Sequence, residues 1–225
     1  MDRCAVLVSF EGPDWYAWRG GLAQRVVALA AELASRGWLT HHVYLGDPRC
    51  PGTESLADDR LTLHRWAQWL SASYPEGVYH GEEAKAEELA RSLPAWLVEL
   101  LQPVIAAGIA PIVIAEEWQT APFVIAFADR LRQAGLASEV ELVWRAGSTF
   151  GWERVNWEEL AGAATIAGTT PELCRALAAR DVAATLIPLD PRATVATLTP
   201  PVVLPLARAV TVRPVRRRSR DVPTA

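Results

Sequence analysis

The 225 residues contain no Cys-x-x-Cys pair, no G-x-G-x-x-G and no G-x-x-x-x-G-K-S/T. They also hold no apolar run near the roughly 20 residues that a bilayer crossing requires. Each absence removes a class of function. The three cysteines, Cys4, Cys50 and Cys174, stand apart, so neither a zinc site nor a disulfide framework is expected, and the thiols read as reduced. Without a glycine-rich phosphate fingerprint, nicotinamide cofactors and Walker-type hydrolysis are not expected. The opening "MDRCAVLV" places an acid before a single arginine and only a strand-length apolar run after it, which is not a signal peptide. A soluble, cytoplasmic protein is the expectation.

Basic charge is scarce until the end. Formal charge is −4, yet Arg213, Arg216, Arg217, Arg218 and Arg220 lie in the last thirteen residues, and the rest carries 17 basic against 25 acidic side chains. Such a body offers no nucleic-acid surface. The tail reads as a solvated end.

What is present is alternation. Strand-length apolar runs at 4–10, 40–45, 111–115, 140–144, 164–168 and 184–188 are separated by helical patterns at about 21–36, 82–107, 121–134, 157–162 and 171–180. This order predicts an α/β fold of Rossmann-like kind, a mostly parallel, doubly wound sheet with helices on both faces. A chain this long buries one good core. One domain over residues 1–190 is expected, with an aromatic-rich insertion at about 46–81 holding a short strand at 61–64. A proline-rich segment and basic tail follow over 191–225, partly disordered, with a strand at 202–204 or 207–212.

Ligands of doubly wound sheets bind outside the carboxyl ends of the strands. Glu11, Asp14, Arg19, Gly20 and Gly21 follow the first strand there, Glu116 to Gln119 the third main one, Arg145, Ser148 and Thr149 the next, and Thr169 and Thr170 the one after. Gly20 and Gly21 head a helix, where backbone amides can meet an anion, although a plain tight turn reads equally well. Glu116 and Glu117 are adjacent and point apart in extended chain, so one of them faces the cleft unless the strand has ended; a carboxylate there can bind sugar hydroxyls, move a proton or merely cap a helix. His41 and His42 fall within a strand, one on each face, and packing is the plainer reading than metal binding. The ten tryptophans are mostly packing, with sugar stacking open to a few.

Four segments in order carry a resemblance: "SFEGPD" with Tyr16 and "GGL" (Ser9–Leu22), "HRWAQW" (His64–Trp69), "GVYHGEE" (Gly77–Glu83) and "EEWQTA" (Glu116–Ala121). Over about residues 4–190 the chain resembles the N-terminal domain of a retaining GT-B glycosyltransferase of the glycogen-synthase-like kind. The resemblance implies a single GT-B half that transfers a hexose from a nucleotide-sugar donor, a substrate rather than a cofactor, to a glycan acceptor. It implies that Gly20 and Gly21 lie against the donor's pyrophosphate and sugar, and that Glu11, Glu117, Gln119, Arg145 and Thr149 border the substrates. No catalytic residue is assigned and no metal is implied.

Three departures qualify it. Gln119 stands where the family usually has a histidine, and glutamine does not titrate near neutrality. "WRAGSTF" (144–150) stands where the family has an asparagine-rich run. The second Rossmann-like domain of the family does not follow, so the expected partner is a separately encoded donor-binding domain or a homo-oligomer, with the 189–212 segment as another cover for the exposed face. Two alternatives remain: a non-catalytic glycan- or protein-binding module of the same descent, and a truncated reading frame.

Overall fold

A computed structural model describes residues 3–198. Its order is β1 (Cys4–Val8), α1 (Gly21–Ser35), β2 (Leu39–Leu45), β3 (Thr53–Leu56), β4 (Leu61–Trp66), α2 (Gln68–Ser73), α3 (Glu82–Ala106) and β5 (Ile112–Glu116). It continues with α4 (Ala121–Gln133), β6 (Glu141–Ala146), α5 (Trp157–Ala163), β7 (Thr165–Gly168), α6 (Pro171–Ala178), β8 (Thr185–Leu186) and α7 (Pro191–Leu198). Short 3-10 turns stand at Trp118–Thr120 and Trp152–Arg154. The eight strands form one sheet in the order β3-β4-β2-β1-β5-β6-β7-β8, parallel except for the β3–β4 hairpin.

Alternation along β1 explains the two layers. Val6 and Val8 face one way, into a core with Leu89, Leu93, Phe123, Phe127 and Trp144 from α3, α4 and β6. Ala5 and Leu7 face the other, against Leu29 and Leu33 of α1 and Val195 of α7. A strand buried on both faces must be apolar throughout, and "CAVLV" is. Leaving β3 aside, the order is that of the doubly wound fold, and the chain reverses direction between β1 and β5.

Two boundaries move. The segment 46–81, read as an insertion, supplies β4, which pairs with β2 through six consecutive residues from Thr40↔Leu61 to Leu45↔Trp66. Only the β3 hairpin and α2 are additions to the sheet's plan. Order also continues past residue 190, because α7 packs on α1 and buries Val195 and Thr194. Proline at the first position of a helix costs no hydrogen bond, so Pro191 starts α7 where it looked like a break. The strand expected within 202–212 and the arginine-rich end lie outside the described residues.

Candidate functional site

The reversal between β1 and β5 opens the carboxyl edge of the sheet at the loops that follow those strands. From the β1 loop Glu11, buried to 4% exposure, turns its carboxylate back onto the start of α1. Its Oε2 accepts the backbone N–H groups of Gly20 (2.9 Å), Ala23 (3.0 Å) and Arg19 (3.2 Å), and its Oε1 accepts the Tyr79 hydroxyl at 2.6 Å. An acid at a helix start satisfies orphan amides and meets the positive end of the helix dipole. Gly20 therefore already has an anion on its amide, one that the chain itself supplies.

Neither glycine is required by its surroundings. Gly20 is extended (φ 177°), both residues are exposed, and a methyl group on either would meet nothing within 4 Å. The pair leaves the mouth of α1 exposed.

From the end of β5 come two carboxylates. Glu116, fully buried, receives Nε of Arg145 at 2.7 Å and its Nη2 as well. Arg145 also donates to Pro188 O and Thr194 Oγ1, each at 3.2 Å. At 1% exposure Arg145 is spent inside the body, which corrects its place among ligand-facing residues. Glu117 is the more unusual of the two. Its backbone lies at φ 66°, ψ 168°, a region that residues with a side chain almost never occupy.

That conformation ends the strand and brings both carboxylates to one cation. Arg25, from the second turn of α1, pairs with Glu117 Oε1 and reaches Glu116 Oε2 at 3.5 Å. Glu117 Oε1 also accepts the Gly147 N–H (3.2 Å), and Oε2 accepts the Ser148 hydroxyl (3.4 Å). Burial pushes the Glu117 carboxyl above its ordinary range, with Arg25 pulling against it. At Gly147 a methyl would come within 2.5 Å of Arg25 Nη2, so the glycine makes room for the arginine.

Gln119 is 4% exposed and donates from Nε2 to Glu82 Oε1 at 2.8 Å, at the start of α3. Its Oε1 is buried without a partner. Thr149 lies exposed beside Phe150 in the loop after β6. Thr170 caps α6, its hydroxyl accepting the Leu173 N–H. His41 and His42 do take opposite faces: His41 meets His64 at 3.0 Å on the α3 side, and His42 meets Ser9 at 2.9 Å on the other. Among the described residues no cluster could hold a metal ion, and no helix is long and apolar enough to cross a membrane.

Three residues central to this edge escaped the sequence reading. Arg25 belongs by periodicity to the polar side of α1, yet only 14% of its side chain is exposed. Its position along the axis, at the end facing the switch point, was the signal. Arg65 ties Asp14 (Nε to Oδ2 2.8 Å, Nη2 to Oδ1 3.0 Å) and Glu54. Lys85, the chain's only lysine, is fully buried and donates to Tyr16 Oη and to the carbonyls of Gly77, Val78 and His80.

Together these bonds join the four segments that carry the resemblance. Asp14 holds Arg65 of the second, Glu11 holds Tyr79 of the third, and Glu82 of the third holds Gln119 of the fourth. Residues up to 108 positions apart in sequence, from Glu11 to Gln119, thus form one polar edge.

Sheet order and edge define the class: a doubly wound, Rossmann-like α/β domain with a polar site at its switch point. No family model matches the chain, and no curated protein does. Among solved structures it is similar to sucrose-phosphate synthase from Thermosynechococcus elongatus, at 13% identity and a TM-score of 0.46, over 83% of this chain and 48% of that one. The chain spans about half the length of that synthase structure.

Proposed function

We propose that the domain is the acceptor-side half of a retaining glycosyltransferase that moves a hexose from a nucleotide-sugar to a glycan, its switch-point edge holding the glycan. The observation that carries this reading is the joining of the four family-like segments, through Asp14–Arg65, Glu11–Tyr79 and Gln119–Glu82, around one edge. The fold alone makes these loops neighbours; that charged and polar side chains of all four join across the edge supports a shared site.

The chemistry supports the glycan over the donor's phosphates. Glu11 already neutralises the amides at Gly20 and Ala23, and Glu117 and Glu116 add two carboxylates against the Arg25 and Arg145 cations. A diphosphate would meet paired charge here and lose its hydration for little in return. Sugar hydroxyls, which donate and accept, suit carboxylates and amides of this kind. In this reading the nucleotide is held by a donor-binding domain, and Gly20 and Gly21 leave room for the sugar at the mouth of α1.

A second reading, a glycan-binding module without catalysis, is favoured by Gln119, which is buried against Glu82 and has no titratable group to offer. Calorimetric titration of the chain with neutral oligosaccharides and with ADP- and UDP-glucose tests what the two readings share. Glycan binding that Glu117→Gln weakens about tenfold is expected, about what loss of one charged hydrogen-bonding partner produces. Tight nucleotide binding with no glycan binding would overturn both. Hexose transfer to the bound glycan, on addition of a donor-binding domain, then separates transferase from binding module.

A further inference from the structure

Beside the Glu117 edge, two cavities lie on the α3–α4–α5 side, with Arg154 in the lining of both. The first, about 400 Å³, is lined by Tyr74, Gly81, Glu82, Glu83 and Ala84 at the start of α3 and by Arg154. The second, about 370 Å³, runs from Arg154 between α4 and α5, past Ala126, Asp129, Asn156 and Glu159. Both volumes fall in the range of small-molecule sites. The one side chain common to both linings is that of Arg154.

Arg154 is held loosely. Its side chain is 46% exposed, its ion pairs to Glu83 (3.6 Å) and Glu153 (4.0 Å) reach surface carboxylates, and such pairs contribute about 0–1 kcal/mol. Its guanidinium lies 4.7 Å over the indole of Trp118. Trp118 is otherwise buried, and both its Nε1–H and the neighbouring Gln119 Oε1 are buried without partners. Unpaired buried polar groups are rare in folded proteins. Here an unpartnered donor and an unpartnered acceptor stand on adjacent residues, the first of them on the indole that Arg154 covers.

We infer that the two cavities are one groove, closed in its middle by Arg154, that binds a run of a neutral oligosaccharide with one sugar ring taking the place of the guanidinium on Trp118. The lining fits this class. Four carboxylates (Glu82, Glu83, Asp129, Glu159) and the Asn156 amide accept from or donate to hydroxyls, whereas one arginine among four acids repels a phosphate or sulfate chain. An indole face suits the C–H face of a sugar ring. This inference rests on the glycan-side reading and gives it a second contact region, along which a chain longer than one sugar is held.

The test is titration of the full chain with linear neutral glucose heptasaccharides and with the matching disaccharides, in wild type, Ala84→Trp and Ala126→Trp. Ala84 and Ala126 are half-buried positions that line the first and second cavity, so each tryptophan plugs one. Ala84→Ser, which leaves the cavity open, is the folding control. A heptasaccharide that spans both cavities is expected to bind about tenfold tighter than the disaccharide, as linked contacts do, and each plug should remove that advantage. Equal affinity for both lengths overturns the groove, and so does heptasaccharide binding that both plugs leave intact and Glu117→Gln abolishes, an outcome that spares the switch-point reading. Binding of spermine without sugar makes the groove a cation site and overturns it too. No sugar binding at all overturns both readings.

Discussion

Glu117 carries the plainest residue-scale conflict between backbone and side chain. Its dihedrals suit glycine, and holding any other residue there costs about 1–3 kcal/mol. Its carboxylate, however, answers Arg25 and the Gly147 amide in a setting that is largely buried. Strain kept for the sake of one side chain at a switch point is the pattern of a functional position. The two effects separate by substitution. Glu117→Ala should lose the ion pair and keep the strain, whereas Glu117→Gly loses the pair and relieves the strain; after glycine's own entropic cost, the glycine variant should still be the more stable, by about 1 kcal/mol, in urea unfolding. Equal or lower stability of the glycine variant would mean that the strain does not exceed glycine's entropic cost of about 0.5–1 kcal/mol. Nothing in the string "AEEW" announces a positive φ; the Thr120 and Trp144 side chains, which both donate to the Glu117 carbonyl, accompany it from outside that string. Arg25 was illegible for a related reason: helical periodicity sorts residues around an axis and is silent about which end reaches the site.

At the scale of elements, periodicity was a good guide. "CAVLVSF" and "PIVIA" could hardly be other than strands buried on both faces, and the span of α1 follows from its apolar stripe and the closing Gly37. β4 fell within the stretch 46–81 read as an aromatic-rich insertion, and "LTLHRW" carries histidine, arginine and tryptophan, an odd composition for an interior strand. The structure answers each in turn: Arg65 is neutralised by Asp14 and Glu54, Trp66 donates to Ser92, and His64 bonds His41. That last contact makes the β2–β4 pairing sensitive to acid. Burial holds His41 and His64 at about 4, and His42 at about 3, against the ordinary 6.5. Unfolding frees the rings to take up protons at 6.5, so the unfolded chain binds more protons below that pH and stability falls as pH drops from 6.5 toward 4. Above 6.5 these groups contribute no further slope. Replacing both His41 and His64 by leucine removes donor and acceptor together, a change that can be nearly neutral at pH 7. The midpoint of acid unfolding, followed by circular dichroism, should then move to lower pH; an unmoved midpoint would mean that the pair does not titrate on unfolding.

For the molecule as a whole, the doubly wound sheet puts every loop that carries chemistry on one edge, and there the chain has paired most of its own charge. Glu11 closes the amides of α1, Arg25 bridges two glutamates, and Lys85 gathers the loop that delivers Tyr79. The alternation of strand and helix patterns anticipated this class of fold; which polar groups face outward and which face one another depends on contacts between segments far apart in sequence. On the proposed acceptor-side reading, a site so arranged would recognise hydroxyls and leave diphosphates to a partner. The most direct test is an amide-resolved NMR titration of the full chain, once with a neutral glucose heptasaccharide and once with UDP-glucose. With the oligosaccharide, the amides of Gly21, Gly147 and Ser148 should shift while those of Gly20 and Ala23, held by Glu11, stay nearly still, and UDP-glucose should move none of them. Large shifts of Gly20 and Ala23 with UDP-glucose alone would mean that phosphate displaces Glu11 from the helix, and would contradict the acceptor-side assignment.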